Sequence, residues 1–199
     1  MLYAFVVSRH GQRTPIMCCK MLPKNVPEDH GQLTREGHEQ TFKLGLFLRV
    51  RYKRFLVADE PDQLLATHVR LQRYHRMFGL ALTGNELWYA ENVLGEVVET
   101  LSQKFEKGIE RPDRLHVFSM SDSSVYSILK LLDTSYDDHP CFCASVIFEV
   151  FEDASKVKRV QVLLSTKTDE DPQLVATDKL KNPCELKEFL DFVRGILKS

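Results

Sequence analysis

LYAFVVSRHGQRTP occupies residues 2–15, and its two halves make different demands. LYAFVVS (2–8) is almost wholly apolar and rich in β-formers, so it reads as a strand buried on both faces. SRHGQRTP (8–15) then sets Arg9, His10 and Arg13 within five positions, where the strand gives way to a loop. Taken alone, an exposed basic turn is the plainer reading of that loop, because short motifs match by chance.

The rest of the chain makes this charge a local feature. Lys and Arg number 27 against 28 Asp and Glu over 199 residues, a formal net charge of -1. A protein that held nucleic acid by bulk electrostatics would be basic overall, so no nucleic-acid partner is expected. No apolar run reaches the length of a membrane span. MLYAFVV lacks a basic leader and reads as a strand rather than a signal peptide, so the expectation is cytoplasmic if the chain is complete. The cysteines are Cys18, Cys19, Cys141, Cys143 and Cys184. An odd count without CxxC pairs argues against zinc or a full disulfide framework. Mostly reduced thiols are expected, with one bridge from Cys184 left open.

Working outward, LTREGHEQTFKLGLFLRVRYKRFL (33–56) predicts a long helix. Thr34 is its N-cap, Glu36 suits its first turn, and basic residues crowd its last turns. Phe42 and Leu46, with Gly45, share one face at helical spacing. LLATHV (64–69) and RLHVFSM (114–120) predict strands, and RYHRMFGLAL (73–82) a helix. Residues 85–107 carry a helical pattern with a break expected near Gly95. DSSVYSILKLLD (122–133) reads as a capped helix, CASVIFEVFE (143–152) and VKRVQVLLS (157–165) as a hairpin, and ELKEFLDFVRGIL (185–197) as an amphipathic helix. This order predicts one α/β domain over 1–199: a three-layer α/β/α sandwich, its central sheet mostly parallel, with an antiparallel edge from the two late strands. Ligands in open sheets of this kind bind beyond the carboxyl ends of the strands. Three polar clusters fall there: Arg9 to Arg13, Arg70, and Ser121 with Asp122.

Two arginines beside a histidine suit a tetrahedral oxyanion. Guanidinium forks match phosphate oxygens and stay charged at any working pH. An imidazole held among them can attack phosphorus and split one hard step into two. RHGQRTP (9–15) resembles the RHGxRxP motif of the histidine phosphatase superfamily, in its histidine acid phosphatase branch. GQLTREGHEQTFKLGLFLRVRY (31–52) is similar to the GQLTxxGxxQ helix that follows in that branch, and CASVIFEVFE and CELKEFLDFV resemble its later segments. The resemblance implies a phosphoglycerate mutase-like fold and a phosphomonoesterase without cofactor or metal, acting on a phosphate monoester. It makes His10 the nucleophile and Arg9 and Arg13 phosphate-binding. Arg70, with Arg76 six positions later, fits the next phosphate-binding arginines. Arg73 competes under a shifted register, and a solvated helix face accounts equally well for Arg76.

Two departures stand out. The branch carries a His-Asp pair after a strand, the Asp protonating the leaving oxygen. Here Asp122 is present, but Ser121 takes the histidine's place, so Ser121 becomes a phosphate contact that brings no cation. The loss of one such donor typically costs about 10²–10³ in turnover. Residues 77–113 leave room for only a remnant of the branch's helical cap. The alternative is therefore a catalytically impaired relative that binds a phosphorylated ligand or a protein partner. His68 and His75 flank Arg70 as further imidazoles, whereas DDHP (137–140) reads as a turn rather than a metal site. Trp88 and Tyr89 read as packing residues of the cap remnant. A homodimer is left open.

Overall fold

The structure is a computed structural model that describes residues 1–14, 31–54, 86–110, 113–168 and 170–198. Among the described residues six strands form one sheet: β1 (Tyr3–Arg9), β2 (Leu115–Met120), β3 (Ser145–Glu152), β4 (Lys158–Ser165), and the short β5 (Gln173–Leu174) and β6 (Cys184–Glu185). Their order is β2-β1-β3-β4-β5, with β6 also paired to β4. The helices are α1 (Arg35–Arg51), α2 (Glu86–Phe105), α3 (Asp122–Leu131) and α4 (Leu186–Ile196).

Strand alternation sorts the core into two halves. Tyr3, Phe5 and Val7 of β1, with Val146, Phe148 and Val150 of β3, pack against the apolar faces of α2, α3 and α4. Ala4 and Val6, with Ile147 and Leu163, face Leu44, Leu48 and Tyr52 at and beyond the end of α1. The result is the expected three-layer α/β/α sandwich.

Within it, two details differ from expectation. Among the described strands only β1 and β2 pair in parallel, and the late hairpin does not lie at an edge. β3 pairs antiparallel with β1, Ser8 opposite Ser145, and so sits in mid-sheet. Its run of six buried residues, Ser145 to Val150, is what a strand covered on both faces requires. The predicted strand 64–69 and helix 73–82 lie outside the described residues.

The helices bring two further corrections. α2 runs unbroken through Gly95, because Ala90, Val93, Leu94, Val97 and Leu101 are fully buried, and that burial outweighs the roughly 1 kcal/mol a helical glycine costs. This part of segment 77–113 is thus a helix of the core layer, with Tyr89 packed against it and Trp88 partly exposed. α1 buries Gly37, Leu44 and Leu48, not the Phe42 face; Phe42 is 67% and Leu46 46% exposed. Apolar residues occur on both sides of α1, and contacts at its two ends choose which side faces inward.

At its C-terminal end the contact is a buried charge. Glu149 on β3 is fully buried, and its carboxylate accepts from Arg51 Nε at 2.6 Å, Arg51 Nη2 at 3.0 Å, Tyr52 Oη at 2.7 Å and Gln161 Nε2 at 2.7 Å. Burial, the largest single influence, pushes this carboxyl up, but these donors together outweigh it and hold it below the ordinary range. The stabilisation from this group is therefore present above its unfolded pKa, about 4.3, and is lost as the pH falls through the lower folded value. Glu149→Ala removes the carboxylate on which Arg51, Tyr52 and Gln161 converge. The expected loss of unfolding free energy is about 3–5 kcal/mol, as for other broken buried pairs, measured by urea denaturation at neutral pH. A loss below about 1 kcal/mol, the scale of an exposed pair, would show that this network does not anchor α1.

Candidate functional site

The sheet register assembles the site. β1 and β2 run in parallel with Ser8 opposite Ser119 and Arg9 opposite Met120, so both strands end at the same level. The His10 N–H donates to Met120 O at 3.0 Å, which seats the loop after β1 beside Ser121 and Asp122. β3 runs the other way and begins at this same end: Arg9 N–H donates to Ala144 O at 2.8 Å, and Cys143 N–H to His10 O at 3.4 Å. The loop that leads into β3 thereby joins the site as well.

The loop after β1 is pressed onto the N-terminus of α1. A Cβ on Gly11 would stand 2.3 Å from Gly37 O, and a Cβ on Gly37 would stand 1.9 Å from Gln12 O. Neither position tolerates a side chain while the backbones lie this close. Gly11 thus makes room for the helix backbone. Around this contact, Thr34 N–H donates to Gln12 O at 3.0 Å, Gln12 N–H donates to Gln40 Oε1 at 2.8 Å, and Arg13 bridges to Leu33. Thr34 Oγ1 accepts from Gly37 N–H as the predicted N-cap and donates to Gln12 Oε1 at 2.8 Å.

His10 is held at both ring nitrogens. Nδ1 lies 2.7 Å from Gly11 O. A carbonyl can only accept, so Nδ1 carries the proton and Nε2 the lone pair. Arg13 Nε donates to Nε2 at 2.7 Å, which only that tautomer allows. Burial lowers the His10 pKa most; the Gly11 carbonyl raises it in part, and Arg13 and Arg9 lower it further. Stability from this group is therefore kept above about 6.5, the unfolded value, and is lost as the pH falls toward the folded pKa.

Arg9 is the hub on the other side. Its side chain is 12% exposed; Nη2 pairs with Asp122 Oδ2 at 3.0 Å and Nη1 donates to Pro140 O at 2.6 Å. Its guanidinium carbon stands 4.0 Å from the centre of the Phe142 ring, within cation–π range. Arg9 Nε is buried with no acceptor among the described residues. Asp122 opens α3, its Oδ1 accepting from Ser123 N–H at 2.8 Å. Ser121 is the N-cap: its Oγ accepts from Ser124 N–H at 3.3 Å and contacts the Ser123 and Ser124 hydroxyls.

The structure thus brings together His10, Arg9, Arg13, Asp122 and Ser121. Arg70 and its competitors Arg73 and Arg76, like His68 and His75, lie outside the described residues. The missed residues are in the loop before β3. His139, from the segment read as a turn, places Nε2 3.2 Å from Asp122 Oδ2 and Nδ1 3.4 Å from Arg9 Nη1. Among the described residues no three His, Cys, Asp or Glu side chains form a group able to hold a metal ion. No described helix is long and apolar enough to cross a membrane. Cys141, Cys143 and Cys184 are free thiols, and burial pushes Cys184 up to about 11.

The electrostatics of His10 can be read directly. In a proton NMR titration its imidazole should show a midpoint below the ordinary value of about 6.5, and Arg13→Gln should raise that midpoint by removing a neighbouring cation. An unshifted midpoint in the parent would contradict the burial of the ring among cations.

No protein-family model matches the chain. Mouse testicular acid phosphatase is 42% identical over 62 residues, 28% of this chain and 15% of that protein. Human prostatic acid phosphatase is 40% identical over 57 residues, again 15% of its length, and the bovine protein is 34% identical over 84 residues, 41% of this chain and 21% of that protein. The chain therefore matches only about a fifth or less of the length of these curated relatives. The phytase from Citrobacter braakii has a similar fold, with a TM-score of 0.59 at 13% identity over 98% of this chain and 97% of that one. Over part of its length the chain is thus similar in sequence to histidine acid phosphatases, and over nearly all of it similar in fold to a phytase.

Proposed function

We propose that this protein is a phosphomonoesterase that works through a phosphohistidine on His10. One observation carries the reading: the Gly11 carbonyl fixes the His10 tautomer with its lone pair on Nε2, where it accepts from Arg13, and a phosphate that draws the Arg13 guanidinium onto its own oxygens frees that pair beside phosphorus. A nucleophile set among cations is what attack on a phosphoryl group needs, since the oxygens around the attacked phosphorus are anionic. The lowered pKa keeps the ring neutral, and therefore nucleophilic, at neutral pH.

Arg13 and Arg9 serve as the phosphate clamp, with Arg70 as a third arginine on the family resemblance. Phosphoryl transfer is catalysed mainly by positioning and charge neutralisation, which guanidinium forks supply. The buried Arg9 Nε is a donor of the kind an oxyanion satisfies. His10 Nε2 takes the phosphoryl group, Asp122 gives a proton to the departing alcohol, and water then frees phosphate. Ser121 is a neutral contact at the rim of the clamp. No metal enters this route.

A second reading has its own support. Ser121 Oγ is engaged in capping α3, and Arg9 is already paired with Asp122. A site of that kind could bind a phosphorylated ligand or partner without turning it over.

Two variants separate the readings. His10→Ala should reduce release of phosphate from 4-nitrophenyl phosphate to the buffer background while vanadate still binds. Arg13→Ala should lower kcat/KM by about 10²–10³, the usual effect of losing one charge-stabilising donor. Vanadate binding by a parent that turns over no faster than His10→Ala would favour the second reading and overturn the first.

A further inference from the structure

We propose that His139 is the second imidazole of this site: it holds Asp122 in place and supplies it with protons from solvent. This rests on the phosphomonoesterase reading and names a residue that the family motifs do not contain at this position.

The geometry comes from three elements. Asp122 Oδ2, on α3, lies 3.0 Å from Arg9 Nη2 and 3.2 Å from His139 Nε2, and the other ring nitrogen of His139 lies 3.4 Å from Arg9 Nη1. One imidazole thus bridges the phosphate clamp and the acid. The loop that carries it is tied down by its neighbours: Pro140 O accepts from Arg9, Phe142 lies beneath the Arg9 guanidinium, and Cys143 N–H donates to His10 O. Cys143 itself is held at φ 61°, a left-handed conformation unusual for a residue with a side chain, where the loop turns into β3.

The chemistry leaves few other candidates for this role. Arg9 Nη2 cannot grip a phosphoryl oxygen and keep its bond to Asp122 with equal strength. When a phosphate dianion claims Arg9, His139 is the charged or chargeable side chain still touching Asp122 among the described residues. Arginine cannot relay a proton, because it stays protonated at any working pH. The Ser121 hydroxyl is engaged at the helix start. His139 is 71% exposed while Asp122 is 32% exposed, so the imidazole connects the carboxyl to bulk water.

The proton path closes on itself. When Arg9 turns to the phosphate, His139 Nδ1 is freed from it and takes a proton from solvent as Nε2 passes its own to Asp122. His10 Nε2 donates its lone pair to phosphorus, the bond from phosphorus to the leaving oxygen breaks with its electron pair on oxygen, and that oxygen takes the Asp122 proton. Water next attacks phosphorus, the P–N bond breaks with its pair returning to His10, and the water proton passes to Asp122 and on to His139. The sum is hydrolysis of one monoester by one water.

The test compares leaving groups. Phenyl phosphate needs a proton on its departing oxygen; 2,4-dinitrophenyl phosphate does not. For His139→Ala, kcat/KM for phenyl phosphate should fall by about 10–100-fold, towards the low end of general acid effects, while that for the dinitrophenyl ester changes by no more than about threefold. His139→Gln can donate to Asp122 and accept from Arg9 but cannot transfer a proton, so it should show the same selective loss. An equal loss on both esters, no loss on either, or full activity of His139→Gln on phenyl phosphate would overturn the proposal. His10→Ala is run beside them. A parent no faster than His10→Ala on both esters would overturn the phosphomonoesterase reading itself, and this proposal with it. A parent faster than His10→Ala, with either His139 variant lacking the selective loss, would overturn only the role of His139.

Discussion

The close approach of two glycine backbones holds this site together. Gly11 follows the histidine and Gly37 lies in the first turn of α1, and each occupies space that a single added carbon would claim. Because the backbones touch, Gln12 can exchange hydrogen bonds with Thr34 and Gln40, and Arg13 can pair with Leu33. These contacts fix the position from which His10 projects. Its ring direction follows from its own neighbour's carbonyl and from Arg13, both fixed by the same contact. The long segment GQLTREGHEQ is thus the mould in which the short segment RHGQR is set.

α1 has to be rigid for that mould to work, and it is anchored at both ends. Gly37 fixes the N-terminal end, and Arg51 with Tyr52 fixes the other on the buried carboxylate of Glu149. Glu149 stands on β3, the strand that pairs with β1. One strand therefore braces the helix behind the site and, through the loop before it, delivers Pro140, Phe142 and His139 to the front. Part of the positive charge after β1 is balanced locally: Asp122 pairs with Arg9, and Phe142 covers one face of its guanidinium.

How much of this could be read in advance depended on whether the signal was local. β1, the Thr34 cap and the capped start of α3 were legible, because burial pattern and capping chemistry act within a few residues. That Arg9, His10 and Arg13 lie beside Asp122 was legible once their strands were taken to end on one side of the sheet. The inward face of α1 was not, since Leu44 and Phe42 look equally apolar and only the contacts at Gly37 and Arg51 decide between them. A break at Gly95 was expected from propensity and did not occur, because the buried residues around it outweigh one glycine. His139 was hidden for a topological reason. Attention to the carboxyl ends of strands overlooks a residue that arrives ahead of an antiparallel strand, and DDHP taken locally has every mark of a turn.

The central claim is that the lone pair on His10 Nε2 accepts the phosphoryl group. The most direct measurement is to mix the protein with a phosphate monoester, stop the reaction within milliseconds in alkali, where a phosphorus–nitrogen bond to imidazole survives, and map the phosphate by tandem mass spectrometry. Phosphate should be found on His10, attached at Nε2. Phosphate on any other residue, or release of phosphate with no phosphorylated His10 trapped at any time, would contradict it.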